Sequence, residues 1–303
     1  MYKQFFGLSA LPFAASPDPR FLFLRPQIRE ALACLQYGIA ARKGFVVLTG
    51  EVGTGKTTLL RTVLGTFAKG RISTAFVFNP RLDVLDFYDF VLTDFGIPIK
   101  TRTKSGMLTQ FHRWLVERFN ARELCVVIVD EAQTLTSELL EEIRMLTNLE
   151  ARSEKLIQIV LSGHPDLVDS LREPSLRQRV ALWCKTQPLT DEETQAYIFE
   201  RLRIAGASET VISPEAAELV FAYSNGIPRL INLICDHALI SSYAEQIKPV
   251  PARIIEAVSQ ELDLVARLFP ISLVPMPEST EDTLQSEMFN AGPSSPLRIA
   301  PLR

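Results

Sequence analysis

One stretch of the sequence is built to hold phosphate: Gly50-Glu51-Val52-Gly53-Thr54-Gly55-Lys56-Thr57, which fits the pattern GxxxxGK[ST]. An apolar run, GFVVLTG at 44–50, leads into it, and TTLLRTVLGTFAK leads out. A strand therefore enters the loop and a helix leaves it. Glycine lets such a loop curl until its backbone N–H groups converge, and the emerging helix adds its positive end. In that cradle Lys56 would neutralise the β- and γ-phosphates of a nucleoside triphosphate, and the Thr57 hydroxyl would ligate Mg²⁺. Gly50, Glu51, Val52, Gly53, Thr54, Gly55, Lys56, Thr57 and Thr58 are the expected nucleotide contacts, with ATP and Mg²⁺ as cofactors.

A second apolar run, CVVIVDEAQ, ends in two adjacent acids. Asp130 is suited to hold the metal and Glu131 to orient and deprotonate an attacking water. The pleat of a strand end would turn the two side chains apart. Further on, LSGHPDL brings Ser162 and His164 to the end of another strand, where either could touch a γ-phosphate or the water. Asn79, ahead of Pro80, is either an amide that restrains Glu131 or a simple turn residue. Arg177 and Arg179, in PSLRQRVALW, are either plain surface charge or a cation offered to a neighbouring subunit. Arg229, in SNGIPRLIN, opens a later helix from which it could reach back to the nucleotide.

Five strand-like runs carry these residues: 44–50, 73–79, 124–130, 156–163 and 180–186. They are short, β-branched and almost continuously apolar, as strands covered on both faces are. Helical segments alternate with them, among them SELLEEIRMLTNLE with Leu139, Ile143, Leu146 and Leu149 on one face. The fold class expected is α/β, a parallel sheet between helices, over 1–187. From 188 to 267 only helices follow. Thr190 and Glu193 form a capping box, Ser213-Pro214 open a second helix that stops at Asn225-Gly226, Pro228 opens a third, and PARIIEAVSQELDLVARL gives a fourth. The Pro-rich residues 268–303 read as disordered.

The 303 residues carry a net charge of −3, which argues against a dominant nucleic-acid or membrane-surface footprint. No run approaches the ~18 apolar residues of a membrane span, and the N-terminus lacks a signal-peptide pattern. Four widely spaced cysteines fit a reducing compartment and read as small buried apolar residues. These features imply a cytoplasmic protein, peripheral to the inner membrane only through a partner.

The strings FGLSALPFAASPDPRFLF, EALACLQYGI, GFVVLTGEVGTGKTTLLR, DEAQTLTSELLEEIRMLTNLE, SGHPDL, LRQRV and GIPRLINLICDHAL occur in order between about 5 and 265. Together they resemble AAA+ ATPases of the general secretion pathway protein A (ExeA) type. The resemblance implies an AAA+ P-loop fold with sheet order 5-1-4-3-2, a helical lid, nucleotide-dependent homo-oligomers, and an adenine site walled by Phe13 to Phe23 and Tyr37. His164 stands where family members usually carry Gln. The longer members continue into a membrane span and a peptidoglycan-binding module, so their cell-wall attachment does not carry over to a sequence ending in a short Pro-rich stretch. The expected role is to energise or switch an envelope secretion, pilus or exopolysaccharide-export assembly. A DNA-associated regulator resembling transposition ATPases is the alternative, supported by Lys100, Arg102, Lys104, Arg113, Arg118 and Arg122. A nucleotide-gated scaffold without turnover is the third reading.

Overall fold

A computed structural model describes residues 1–14, 16, 18–67, 71–78 and 80–266. Asn79 and the Pro-rich stretch from 268 lie outside the described residues.

Five parallel strands form one sheet: β1 (Phe45–Thr49), β2 (Ile72–Val77), β3 (Leu124–Val129), β4 (Gln158–Gly163) and β5 (Leu182–Lys185), in the order β2-β3-β4-β1-β5. This is the order 5-1-4-3-2 counted from the other edge. Every residue of the central strands β1 and β4 is buried, and so is all of β3 after Leu124. The edge strands β2 and β5 are only partly covered, because each has a neighbour on one side alone. The apolar runs therefore overstated the burial of the two edges.

Alternate residues of the central strands serve opposite faces. Phe45, Val47, Val127, Val129, Ile159 and Leu161 pack against α3 (Val84–Asp94), α4 (Lys104–Asn120) and α5 (Ser137–Leu146). Val46, Leu48, Val126, Ile128 and Val160 pack against α1 (Pro26–Ala40) and α2 (Lys56–Phe67). Helix α5 stops at Leu146, and Leu149, beyond the turn at 147–148, still packs against the same core as Leu139, Ile143 and Leu146. Gln158 brings a buried polar side chain to the start of β4, where its Oε1 accepts from the Gly44 N–H at 2.7 Å. The four cysteines are free thiols, and Cys184 on β5 meets Cys34 on α1 at 2.6 Å.

After β5 come α6 (Asp191–Ile204), α7 (Pro214–Ser224), α8 (Pro228–Ala244) and α9 (Ala252–Glu261). The fourth helix is shorter than its sequence run suggests, since Asp263 takes a φ of +53° just beyond it. Both bonds of the Thr190–Glu193 capping box form. Such a cap contributes ~1 kcal/mol. Tyr2, Phe6, Leu8, Phe13 and Phe21 pack into the same core as these helices. The first 21 residues thus associate with the helical bundle, although a linear division at 187 would leave them with the sheet. Arg201 explains much of this. Buried on α6, it donates through Nε to Pro12 O at 2.5 Å and through Nη1 to Phe21 O at 3.4 Å, with its guanidinium 4.7 Å from the Phe21 ring.

Helix α7 ends on Asn225 in left-handed backbone, and Gly226 follows at φ +70° with its carbonyl accepting from the Leu189 N–H at 2.8 Å. A Cβ on Gly226 would lie 1.9 Å from Leu189 O. Neither the conformation nor the space admits a side chain there. Gly226→Ala should cost about 3 kcal/mol or more and lower the thermal midpoint by roughly 5–10 °C. Asn225→Gly, at a position glycine tolerates, should change the midpoint little. Equal midpoints for Gly226→Ala and wild type in a melting experiment would contradict this account of the junction.

Candidate active site

The site forms where β1, β3, β4 and β5 end. Gly50 N–H donates to Gly163 O at 3.2 Å and Thr186 N–H to Thr49 O at 2.8 Å, so the exits of β4, β1 and β5 lie side by side. The loop after β1 is tied to the exit of β5. Thr54 Oγ1 lies 2.7 Å from Thr186 Oγ1 and donates to Glu51 O at 2.8 Å. Gly50 is required by the close approach, because a Cβ there would sit 2.0 Å from Thr186 Oγ1. Gly53 and Gly55 take φ values of +84° and +93°, which turn the loop into the start of α2. Lys56, buried on that first turn, donates to Gly50 O at 2.8 Å and Glu51 O at 3.1 Å. Burial draws its ammonium below the ordinary lysine range, and the charges of Glu131, Asp130 and Glu51 oppose that shift.

Asp130 lies just beyond β3 and is nearly buried. Its Oδ2 accepts from Thr57 Oγ1 at 2.9 Å; its Oδ1 accepts from Ser162 Oγ at 2.8 Å and from the Glu131 N–H at 3.1 Å. Thr57 and Asp130 thus present adjacent hard oxygens, the donor type magnesium prefers. They form a pair and not a cage, which fits an ion that arrives carrying phosphate and water ligands. Among the described residues no group of three or more His, Cys, Asp or Glu could hold a metal alone.

Glu131 diverges from Asp130 for a reason the strand pleat does not supply. Strand β3 ends at Val129, and Glu131 stands at φ +53°, in left-handed backbone. That turn leaves its carboxylate exposed, with Oε2 accepting from Gln133 Nε2 at 2.7 Å.

The remaining candidates divide. Ser162 is fully buried and committed to Asp130. His164 lies farther out, its Nε2 3.1 Å from Glu51 Oε2 and its Nδ1 3.1 Å from Asp166 Oδ2. Arg229 opens α8 beside the loop: its N–H donates to Gly53 O at 3.2 Å, and its Cβ would be 2.9 Å from a Cβ on Gly53. Arg177 and Arg179 are exposed and precede β5, which the chain enters level with Phe45, through Ala181 N–H to Phe45 O at 2.8 Å. They occupy the end of the sheet opposite the loop. Within one chain they do not join the site.

A cavity of about 640 Å³ lies between the loop and the helical bundle. Val52, Gly53 to Thr58, Glu131 and Arg229 border one end, and Phe13, Phe21, Phe23 and Tyr197 the other. Phe13, Phe21 and Phe23 of the N-terminal segment line it. Tyr37 does not; it is exposed on α1, its ring 5.3 Å from the Lys43 ammonium. Three residues that the sequence did not single out support the site. Arg25, buried at the start of α1, donates to Pro188 O and Glu193 Oε2 and to Gln187 O, joining α1 to the root of the bundle. Thr186 anchors the loop, and Gln133 holds Glu131. Of the six basic residues in 100–122, Arg102, Lys104 and Arg118 pair with Asp89, Glu142 and Glu123.

Residues 39–171 match the family model described as AAA domain. The chain is 42% identical over 248 residues to general secretion pathway protein A of Aeromonas hydrophila, covering 80% of this chain and 45% of that protein. It therefore spans just under half of the relative's length. Among solved structures, Cdc6p of Pyrobaculum aerophilum superposes with a TM-score of 0.68 at 19% identity, over 82% of this chain and 70% of the other. The ORC2 protein of Aeropyrum pernix, in ADPNP–ADP complexes, gives 0.61 at 17% identity, over 83% and 73%. At such identities the two structures establish a shared AAA+ fold. No described helix is long and apolar enough to cross a membrane.

The loop's dependence on Thr186 gives a direct test of the nucleotide cradle. Gly50→Ala should force the loop off β5 and weaken binding of a fluorescent ATP analogue by about tenfold or more, the equivalent of ~1.4 kcal/mol. Its circular dichroism spectrum should match wild type. Unchanged affinity would show that the Gly50–Thr186 contact does not shape the phosphate site.

Proposed function

The chain is an AAA-domain protein related in sequence to general secretion pathway protein A, and from that premise we propose that it binds and hydrolyses Mg-ATP. The observation that carries this reading is the meeting of Lys56, Thr57, Asp130 and Glu131 at one end of the sheet, beside a cavity large enough for a nucleotide. The loop N–H groups and the start of α2 would receive the phosphates, with Lys56 countering their charge. Thr57 and Asp130 would hold the magnesium ion, which supplies charge neutralisation across the phosphates. Glu131, exposed and turned clear of Asp130, would orient the attacking water and take its proton. Arg229 lies against the loop from the first turn of α8, where it would couple the bundle to the bound nucleotide.

One chain offers Lys56 and Arg229 as the cations beside the phosphate loop. Arg179 lies too far round the sheet to serve its own site, which supports its use by a neighbouring copy in a homo-oligomer. An arginine supplied across subunits is worth roughly 10³–10⁵ in rate. The work done with this cycle is proposed to be switching or driving an envelope assembly, for secretion, pilus formation or polysaccharide export. The relative's name and the likeness between the chains support secretion among these. The DNA-associated reading draws less support, because three of its six basic residues are engaged with carboxylates.

Replacing Glu131 by Gln should lower steady-state phosphate release by about 10²–10⁴ while ATP still binds. A variant with wild-type turnover would remove Glu131 from the reaction. Arg179→Ala should reduce turnover without altering ATP affinity, and the wild type should lose specific activity on dilution. Specific activity independent of protein concentration would count against a shared site.

A further inference from the structure

The carboxylate assigned as base is exposed, and a glutamate side chain free in solvent samples many rotamers. Something must aim it. The described contacts of Glu131 supply one candidate, the side-chain amide of Gln133, which sits two residues on in the turn Ala132–Thr134.

The direction of that amide is fixed by its other partner. Gln133 Oε1 lies 3.0 Å from the His164 backbone nitrogen. A backbone N–H can only donate, so the atom facing it must be the amide oxygen. The amide nitrogen then faces Glu131 and donates to Oε2 at 2.7 Å. A second feature keeps the amide in this position. Gly163, the last residue of β4, leaves the room it occupies; a Cβ there would come within 2.6 Å of Gln133 Oε1. The end of β4 thus provides both the hydrogen bond and the space.

We infer that Gln133 is a positioning residue for hydrolysis: oriented by the His164 N–H and admitted by Gly163, its amide holds one oxygen of Glu131 and leaves the other for the attacking water. The inference rests on the assignment of Glu131 as base. It gives Gln133 a role distinct from that of Ser162, which serves Asp130, and from that of the His164 ring, which faces Glu51 and Asp166. The amide touches none of the residues proposed to hold metal. Its effect should therefore fall on the chemical step and leave nucleotide binding alone.

The two bonds of Gln133 can be separated. Gln133→Glu keeps an oxygen to accept from His164 but turns a second carboxylate oxygen toward Glu131, replacing a donor by a repelling acceptor. Gln133→Ala deletes both bonds. Misplacing a catalytic group by about 1 Å costs on the order of 10²-fold in rate. Gln133→Ala should accordingly lower kcat by roughly 10- to 100-fold with KM for ATP within about twofold of wild type, and Gln133→Glu should lose at least as much. Combined with Glu131→Gln, the Gln133→Ala change should have almost no further effect, since residues acting as a unit are not additive. Gly163→Ala, which crowds the amide without removing it, should reproduce part of the loss and covers the case that Gln133→Ala does not fold.

Wild-type turnover in Gln133→Glu would overturn the inference, because the surviving bond to His164 would then be the one that matters. The same fold-loss from Gln133→Ala with and without Glu131→Gln would also overturn it. If Glu131→Gln alone leaves turnover intact, the assignment of the base fails instead, and the two failures are told apart.

Discussion

Everything at the reactive end of this molecule depends on one buried carboxylate. Asp130 accepts from Thr57, which follows the phosphate loop after β1, from Ser162 on β4, and from the backbone of its own neighbour Glu131. Its N–H donates to Val77 O at 2.9 Å, at the end of β2. One side chain thus joins the exits of three strands and reaches a fourth through its backbone. A carboxylate in so covered a position is tolerable only when it is hydrogen-bonded, and here three donors serve it. The parallel sheet makes the arrangement possible, because it delivers every strand end to the same edge.

Two buried arginines organise the helical bundle and its root. Arg25 connects the start of α1 to the linker at Gln187 and Pro188 and to the capping box at Glu193. Arg201 ties α6 to the N-terminal segment through two backbone carbonyls, within reach of the Phe13, Phe21 and Tyr197 rings. Both make several fixed hydrogen bonds at once, a task suited to a planar guanidinium more than to an ammonium. The aromatic end of the cavity is therefore assembled from residues far apart in sequence, Phe13 and Tyr197 among them.

What the sequence disclosed follows from how local each signal is. The phosphate loop needs a glycine spacing, a lysine and a hydroxyl within eight residues, so pattern and geometry coincide. The central strands were legible because residues buried on both faces must be continuously apolar. The edge strands β2 and β5 carry similar composition but are half-covered, and nothing local distinguishes them. Tyr37 is exposed farther along α1 than Ile28, where that helix borders the cavity, which no motif could reveal. Gln133 escaped for a different reason. Its meaning depends on a backbone N–H that is 31 residues away in sequence, and on a missing Cβ beside it. The left-handed turn at Glu131 was likewise hidden, since glutamate has no particular preference for that conformation.

The charge around the loop constrains how a nucleotide can arrive. Glu51, Asp130 and Glu131 surround Lys56 closely enough to oppose the lowering of its pKa that burial causes. Three acids against one buried lysine form a poor receptor for a bare polyphosphate anion, even with Arg229 alongside. A triphosphate entering with magnesium brings positive charge to the oxygens of Thr57 and Asp130, and the acids then become partners where they would have been obstacles. On the proposed reading, metal and nucleotide are thus a single ligand to this site. On that reading the acids assigned to hydrolysis would also select against the nucleotide without its cation.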